Sequence, residues 1–253
     1  MSVPADAVRL ALGTLTVLPV RPPRTVDRRV AGLAMALAPL AVLPLAAVAG
    51  LAVWSGSSLE VPPLLTGLLA VVVLALGSGG LHLDGLADTA DGMAVPGDAA
   101  RRLAVMRTGD VGPAGAASLL LVLMVQAVAV AGLLDRYGAG EAAVTAGLAV
   151  VVSRGCLLPA CARGVPAARG DGLGSAVAGA VPVPAAVAVV GGLAVGAFLL
   201  DGGHGVAGVA VSLSLTALVL LRAVRRLGGV TGDVLGAVVE VALAGYLVAQ
   251  VVG

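Results

Sequence analysis

Residues 112–134 read GPAGAASLLLVLMVQAVAVAGLL and contain no charged side chain. Apolar runs of about 18 to 24 residues recur along the chain, and each is long enough to cross about 30 Å of hydrocarbon as a helix. Only 11% of the 253 residues are charged, whereas about 25% is usual in a soluble domain. The mean hydropathy is +1.09. The sequence therefore predicts an all-α protein, a polytopic bundle of transmembrane helices.

The apolar runs predict seven spans and one shorter helix. The predicted spans cover residues 31–54, 62–80, 112–134, 141–159, 181–200, 206–221 and 234–252. Residues 8–20 are apolar but too short to cross, and Pro22 and Pro23 follow, so we predict an interfacial or re-entrant helix there. Because no soluble domain or long linker interrupts the pattern, residues 1–253 are predicted to form a single integral membrane domain. The net charge of +1 does not indicate a nucleic-acid partner.

The arginines are distributed unevenly among the predicted loops. They precede span one and follow spans two, four and six, whereas the opposite loops contain only Arg136. The arginines of the rich loops are Arg21, Arg24, Arg28, Arg29, Arg101, Arg102, Arg107, Arg154, Arg163, Arg169, Arg222, Arg225 and Arg226. By the positive-inside rule this side is cytoplasmic. Arginine-rich and arginine-poor loops alternate along the chain only if the number of spans is odd. The polar motifs described below open on the arginine-rich side. This is expected for an active site that faces the cytoplasm from a cell membrane.

Three aspartates follow the second predicted span, in the segment GGLHLDGLADTADG at residues 79–92. In a helix that continues from the span, Asp84, Asp88 and Asp91 lie within an arc of roughly 60°. Unneutralised carboxylates on one face are costly beside a membrane, unless a cation lies among them. Oxygen ligands favour a hard divalent ion, Mg²⁺ or Mn²⁺. The alternative is an ordinary solvated acidic helix, although no arginine interrupts the segment before Arg101.

A second polar motif, LGGVTGDVLGAVVE at residues 227–240, opens the last predicted span. Thr231 fits a helix N-cap and Asp233 a residue that complements the helix dipole. These local roles do not account for Glu240, which lies about 10 Å deeper on the same face. An acid buried in a span is a candidate functional residue. Asp233 and Glu240 are therefore candidates to complete the metal site or to act as a general base.

Other polar residues give weaker indications. The segments 106–115, 153–154 and 169–174 place arginines beside glycine-rich turns, and arginine suits phosphate oxygens. Any one of these arginines can equally be a topology determinant. His82 points away from the carboxylate face of a regular helix and is either a packed histidine or a catalytic one. The candidates for substrate or phosphate binding are His82, Arg154, Arg169, Asp171, Arg222 and Thr231.

These motifs together resemble the cobalamin synthase family, the adenosylcobinamide-GDP ribazoletransferases of vitamin B12 synthesis. The resemblance is carried by GGLHLDGLADTADG at 79–92, RGDGLG at 169–174, GGVTGDVLGAVVE at 228–240 and the early LTVLP at 15–19. It extends over nearly the whole chain. One departure lies in 106–115, where the family often has an Asp-Ser pair and this chain has Thr108-Gly109.

The resemblance implies a magnesium-dependent transferase. The adenosylcobinamide phosphate group would pass from its GDP ester to α-ribazole or its 5′-phosphate, giving adenosylcobalamin or its phosphate and GMP. We expect Asp84, Asp88 and Asp91 to bind one or two Mg²⁺ ions, with a contribution from Asp233. One of these carboxylates, or Glu240, would take the hydroxyl proton.

Two other functions and two kinds of partner remain open. A CDP-alcohol phosphotransferase also uses aspartates on membrane helices, but its Asp-Gly-x-x-Ala-Arg motif has Asp88 in place of arginine here, and its later aspartate pair is missing. An ion-coupled transporter would place acids at mid-membrane in several spans, and only Glu240 approaches that depth. Membrane lipid is an expected partner, and a homo-oligomer is possible.

Overall fold

The computed structural model describes residues 3–252, and all regular elements in that range are helices. In chain order they are α1 (Val3–Leu15), α2 (Arg28–Ala36), α3 (Ala38–Ala41), α4 (Leu43–Ser58), α5 (Pro63–Gly77), α6 (Leu81–Ala94), α7 (Ala99–Val105), α8 (Pro113–Gly155), α9 (Leu157–Ala160), α10 (Gly172–Val177), α11 (Val183–Leu227) and α12 (Gly232–Val251). Two isolated β-bridges join loop segments. The predicted all-α membrane bundle is confirmed.

Three helical stretches, Pro113–Ala160, Val183–Leu227 and Gly232–Val251, are long and apolar enough to cross a membrane. The pair α5 and α6 would make a fourth if it were a single broken span. Because α6 turns by 94° from α5 and carries three aspartates, we treat α6 as lying outside the spans. The total of seven spans stays a prediction.

The 43-residue helix α8 folds back on itself at Gly138, whose φ of 75° is not helical. Gln126 donates a hydrogen bond to the Glu240 carboxylate at 2.8 Å, and Arg154 interacts electrostatically with the same carboxylate. In a straight helix these two residues of α8 would lie about 42 Å apart. The two halves of α8 therefore run in opposite directions, as the third and fourth predicted spans require.

A similar break divides α11 at Asp201 and Gly202, which lie where the fifth predicted span gives way to the sixth. Gly205 packs so closely on Ala197 that a Cβ would collide with the Ala197 carbonyl oxygen. Asp201 also lines one small cavity together with Tyr137 and Glu141. Both breaks therefore lie at the same end of the molecule, and the arginine-rich segments lie at the other.

Two sequence expectations about helix continuity are wrong in detail. The first predicted span is divided into α2, α3 and α4, because Pro39 and Pro44 cannot donate the helical hydrogen bonds of their positions. The aspartate segment does not continue the second span. Gly79 and Gly80 adopt positive φ of 65° and 72°, and this left-handed turn starts α6 in a new direction.

The N-terminal helix lies earlier than predicted. α1 ends at Leu15, and the hydroxyl groups of Thr14 and Thr16 bond back to the carbonyls of Leu10 and Leu12. Beyond this point the chain has no regular secondary structure, because Pro19 disfavours helix in the residue before it. The apolar residues 17–20 therefore belong to a loop.

Candidate active site

The three aspartates of α6 lie on one side of the helix but at different depths. Asp84 is exposed, Asp88 is half-buried and Asp91 is buried. The depth increases along α6 because the helix passes under the first turn of α8. The sequence predicted the shared face, and the structure adds that the three carboxylates have different surroundings.

Asp91 binds the backbone at the start of α8. Its two carboxylate oxygens accept hydrogen bonds from the amides of Gly112 at 2.7 Å and Gly115 at 2.9 Å. A Cβ at either glycine would collide with the carboxylate. A negative charge also suits the positive end of the helix dipole. Metal ligation by Asp91, as expected from the sequence, would require these hydrogen bonds to break.

α6 crosses α12 at a point where both helices carry glycine. A Cβ at Gly85 would lie 2.7 Å from the Asp233 carbonyl oxygen and 2.9 Å from its Cα. On the other side, a Cβ at Gly236 would lie 3.1 Å from the His82 backbone. This close backbone approach brings Asp84 of α6 and Asp233 of α12 to one place.

The half-buried Asp88 lies among other carboxylates. Its burial raises its pKa to about 6, and the charges of Asp84, Asp233 and Asp91 contribute to that rise, while Arg169 opposes it. Four acidic side chains from two helices are thus near enough to repel one another. This electrostatic arrangement favours a bound cation.

The loop before α10 forms the opposite wall of the site. The Ala168 amide donates to the Val230 carbonyl at 2.9 Å, and the Val230 amide donates to the Pro166 carbonyl at 2.9 Å. This bridge holds Arg169 beside the start of α12. There its guanidinium lies 3.6 Å from the Asp233 carboxylate and donates to the Leu103 carbonyl at 2.7 Å.

Thr231 caps α12, as the sequence predicted. Its hydroxyl accepts from the Val234 amide at 3.2 Å and donates to the Asp233 carboxylate at 3.1 Å. The hydroxyl thus orients one oxygen of Asp233. A Cβ at Gly174 of α10 would lie 2.7 Å from the Thr231 Cα, so α10 packs directly on this turn.

An exposed ion pair that the sequence did not predict joins two loops at the mouth of the site. Arg107 donates to both carboxylate oxygens of Asp171, at 2.6 Å and 2.7 Å. The side chains of Arg107 and Asp171 are 54% and 68% exposed. Arg107 precedes α8 in the segment 106–115, where an arginine beside glycines indicated phosphate binding only weakly. No local pattern indicated its contact with Asp171.

These elements enclose one cavity of about 520 Å³, the site cavity. It is lined by Leu81, Asp84, Arg107, Arg169, Asp171, Gly172, Leu173, Gly174, Ser175, Val230, Thr231, Gly232 and Asp233. The structure thus brings together predicted residues from three distant segments of sequence. Two cationic and three anionic side chains face a common space, which suits a charged ligand with bound cations.

Three predicted site residues lie elsewhere, in a buried polar cluster made of His82, Gln126, Ser153, Arg154 and Glu240. The Arg154 guanidinium is 1% exposed, donates to the Ser153 hydroxyl at 2.9 Å and lies 3.5 Å from His82 Nδ1. Glu240 is 5% exposed. This cluster lies behind the α6–α12 crossing. Arg222, a further candidate, is exposed on the last part of α11.

The donor set fits a magnesium ion completed by substrate. Within residues 3–252, no group of three His, Cys, Asp or Glu side chains could hold a metal ion alone. Mg²⁺, however, is usually bound by one or two carboxylates together with water and substrate phosphates. Asp84 and Asp233 line the site cavity, so the chain supplies two carboxylates there, and Asp88 lies beside them.

Comparison with known proteins identifies a family of similar chains. The profile of the cobalamin-5-phosphate synthase family matches residues 7–251. A Nocardioides protein named adenosylcobinamide-GDP ribazoletransferase is 52% identical over 96% of this chain and 97% of its own length. A protein of that name from Frankia casuarinae is 39% identical over 94% of this chain and 92% of its own.

A third relative matches a smaller part of the chain. The Pseudomonas aeruginosa protein of the same name is 41% identical over 74% of this chain and 75% of its own length. No solved structure matches the chain significantly.

Proposed function

Since the chain belongs to the cobalamin-5-phosphate synthase family, we propose that it catalyses the ribazole transfer named in its relatives. In this reaction a hydroxyl of α-ribazole, or of its 5′-phosphate, attacks the phosphorus that carries the cobinamide group of adenosylcobinamide-GDP. A new P–O bond forms, the bond to the bridging oxygen of the diphosphate breaks, and GMP leaves. The hydroxyl proton passes to a base. The products are adenosylcobalamin, or its phosphate, and GMP.

One observation carries this proposal: carboxylates of α6 and α12 face arginines of two loops across the site cavity. A diphosphate between two esters carries two negative charges, and Arg107 and Arg169 match them. Gly172 at the start of α10 leaves room for a phosphate to approach the backbone, since a Cβ there would meet no atom within 4 Å. A site of this composition favours a diphosphate over an uncharged ligand.

We propose that Asp84, Asp88 and Asp233 hold Mg²⁺ in this cavity. When bound, the ion would neutralise the charge that develops on the diphosphate as GMP leaves. The Thr231 hydroxyl bonds to Oδ2 of Asp233, and the Arg169 guanidinium lies 3.6 Å from the same oxygen. These contacts keep the ligand oxygens in place before substrate arrives.

The general base is one of the carboxylates at the cavity. Glu240 has a different, structural role. It is buried beside Gln126 and Arg154, and its negative charge there compensates the buried guanidinium.

The site cavity is proposed to open to the cytoplasm of a cell with the protein in its inner membrane. The arginine-rich segments lie at the same end of the bundle as the cavity, and positive charge is retained on the cytoplasmic side. The diphosphate of adenosylcobinamide-GDP is charged and the ribazole acceptor is a hydroxylated nucleoside, so both reacting groups would reach the cavity from that aqueous compartment.

The experiment uses the full chain purified in lipid nanodiscs. Adenosylcobinamide-GDP is added with α-ribazole or with its 5′-phosphate, and GMP and corrinoid products are separated by chromatography. We expect GMP and the joined corrinoid in equal amounts, loss of both with EDTA, and recovery with excess Mg²⁺. Absence of GMP with both acceptors in the presence of Mg²⁺ would refute the proposal. Comparison of the two acceptors identifies the preferred one.

A further inference from the structure

A second groove of about 560 Å³ lies between α2 and the segment that leads into α11. It shares no lining residue with the site cavity. Its floor is a close backbone contact: a Cβ at Gly32 of α2 would lie 2.5 Å from the Ala180 carbonyl oxygen. We name this the arginine groove, after the three arginines that line it.

Positive charge is concentrated at one end of the arginine groove. Arg28, Arg29 and Arg163 line it, and all three are exposed. Among residues 3–252, no carboxylate oxygen lies within 4.0 Å of these guanidiniums. Arg28 donates only to backbone carbonyls, at 3.1 Å to Gly179. The neighbouring Asp27 is engaged as the N-cap of α2, where it accepts two backbone amides.

The groove becomes apolar further along the same helices. Leu33 and Ala36 lie one and two turns beyond Arg28 on α2, so Ala36 is about 12 Å further along the helix axis. Ala185 lines the facing wall in the first turn of α11. α11 is long enough and apolar enough to cross a membrane. Its first turn lies at the arginine-rich end of the bundle. The groove therefore runs from charged to apolar in the direction of the bilayer.

We infer that the arginine groove binds an anionic phospholipid. The phosphate of its headgroup would lie among Arg28, Arg29 and Arg163, and one acyl chain would run along Leu33, Ala36 and Ala185. Basic pockets between helices at the cytoplasmic face favour anionic headgroups. The unpaired arginines supply complementary charge and bidentate donors for phosphate oxygens. A water-soluble phosphate would satisfy the arginines but leave the apolar wall uncovered.

Native mass spectrometry of the purified full chain in detergent tests this inference. The protein is mixed with phosphatidylglycerol or phosphatidylcholine at equal concentration, and bound lipid is counted. We expect preferential binding of phosphatidylglycerol. The double variant Arg29→Gln/Arg163→Gln should weaken that binding by about 30-fold, since each arginine near an anionic lipid contributes roughly fivefold.

The matched control is Arg225→Gln/Arg226→Gln, which removes two exposed arginines from the last turn of α11 at the same end of the bundle. It should retain phosphatidylglycerol binding. Equal loss in both double variants, or no loss in the groove variant, would overturn the inference. So would full competition by glycerol phosphate, which carries the same phosphate without an acyl chain.

A second variant tests the groove without changing its charge. Ala36→Trp/Ala185→Trp fills the apolar wall and keeps all three arginines. We expect this variant to lose phosphatidylglycerol as well, because the acyl chain no longer fits. Unchanged lipid binding would contradict the proposed position of the acyl chain. If Arg29→Gln/Arg163→Gln does not fold, this variant still tests whether the lipid binds in the arginine groove.

Discussion

Arg107 and Asp171 illustrate, at the scale of single residues, how an exposed contact can govern substrate binding. Their ion pair, in which one guanidinium nitrogen contacts both carboxylate oxygens, joins two loops at the mouth of the site cavity. Exposed pairs of this kind contribute less than about 1 kcal/mol to stability. The charge of Arg107 is therefore available to a diphosphate at little cost to the fold.

We predict opposite effects when either partner of this pair is neutralised. Arg107→Gln should raise the KM for adenosylcobinamide-GDP by about tenfold, whereas Asp171→Asn should lower it because Arg107 is released for the substrate. In the Arg107→Gln background, Asp171→Asn should have no further effect. GMP release measures KM in all four proteins. Equal increases of KM in both single variants would instead show that the pair acts as a structural unit.

Substitution of Glu240 shows whether this acid is catalytic or structural. It lies in the buried polar cluster with Arg154. Removing one charge of a buried pair costs on the order of 3 kcal/mol, because the other charge is left uncompensated. We therefore predict that Glu240→Gln lowers the melting temperature, and that Glu240→Gln/Arg154→Gln recovers part of the loss. Unchanged stability together with abolished GMP release would contradict this role and favour catalysis by Glu240.

The sequence predicted the local geometry of the candidate residues better than their surroundings. Helical periodicity is local, so it places Asp84 and Asp88 on one face, and the Thr231 cap is likewise a short-range pattern. The burial of Asp91 could not be predicted, because it depends on the first turn of a different helix. The Arg107–Asp171 pair joins residues 64 apart in sequence, and no local pattern indicates such a contact.

At the scale of helices, the close crossing of α6 and α12 determines whether the site exists. Two glycines allow it, and Asp233 directly contacts one of them, Gly85. Because a side chain at that position would meet backbone atoms, the helices themselves would have to move apart. Asp84 and Asp233 would then separate.

We therefore predict that Gly85→Ala sharply reduces GMP release and lowers thermal stability. The new methyl group would lie 2.7 Å from the Asp233 carbonyl oxygen, too close for a real contact. The matched control is Gly191→Ala on α11, where a Cβ meets no atom within 4 Å. This control should be neutral or stabilised by about 0.5 to 1 kcal/mol. Normal activity of Gly85→Ala would show that the crossing does not position the carboxylates.

Helix existence was predictable from apolar length, but helix direction was not. The fold-back of α8 at Gly138 was anticipated as a loop between two spans. The 94° bend before α6 was missed, because Gly79 and Gly80 in an apolar context are compatible with a continuing helix. Only their positive φ in the folded chain identifies the turn. The division of the first span follows from Pro39 and Pro44, whose effect the apolar pattern conceals.

At the scale of the whole molecule, the arginine-rich segments and the site cavity lie at one end of the bundle. The breaks at Gly138 and Asp201 lie at the other. If the positive-inside rule orients the bundle, the cavity faces the cytoplasm. The protein then needs no polar path through the bilayer, which distinguishes it from a transporter.

Cysteine labelling tests this orientation. The native Cys156 and Cys161 are 1% and 0% exposed, so they provide a low background. Thr108→Cys lies at the site end and Glu141→Cys at the opposite end, and both positions are exposed. With a membrane-impermeant maleimide, we predict that Glu141→Cys is labelled in intact spheroplasts and Thr108→Cys only after lysis. The reverse pattern would place the site outside.

The convergence of α6 and α12 carboxylates on a divalent cation is tested most directly by Mn²⁺ binding, measured by electron paramagnetic resonance in the presence of GDP. We predict that Asp84→Asn and Asp233→Asn each weaken Mn²⁺ binding by about tenfold or more. The matched control Asp110→Asn, an exposed acid in the loop before α8, should bind like the wild type. Mn²⁺ affinity that is unchanged in both Asp84→Asn and Asp233→Asn would contradict the account.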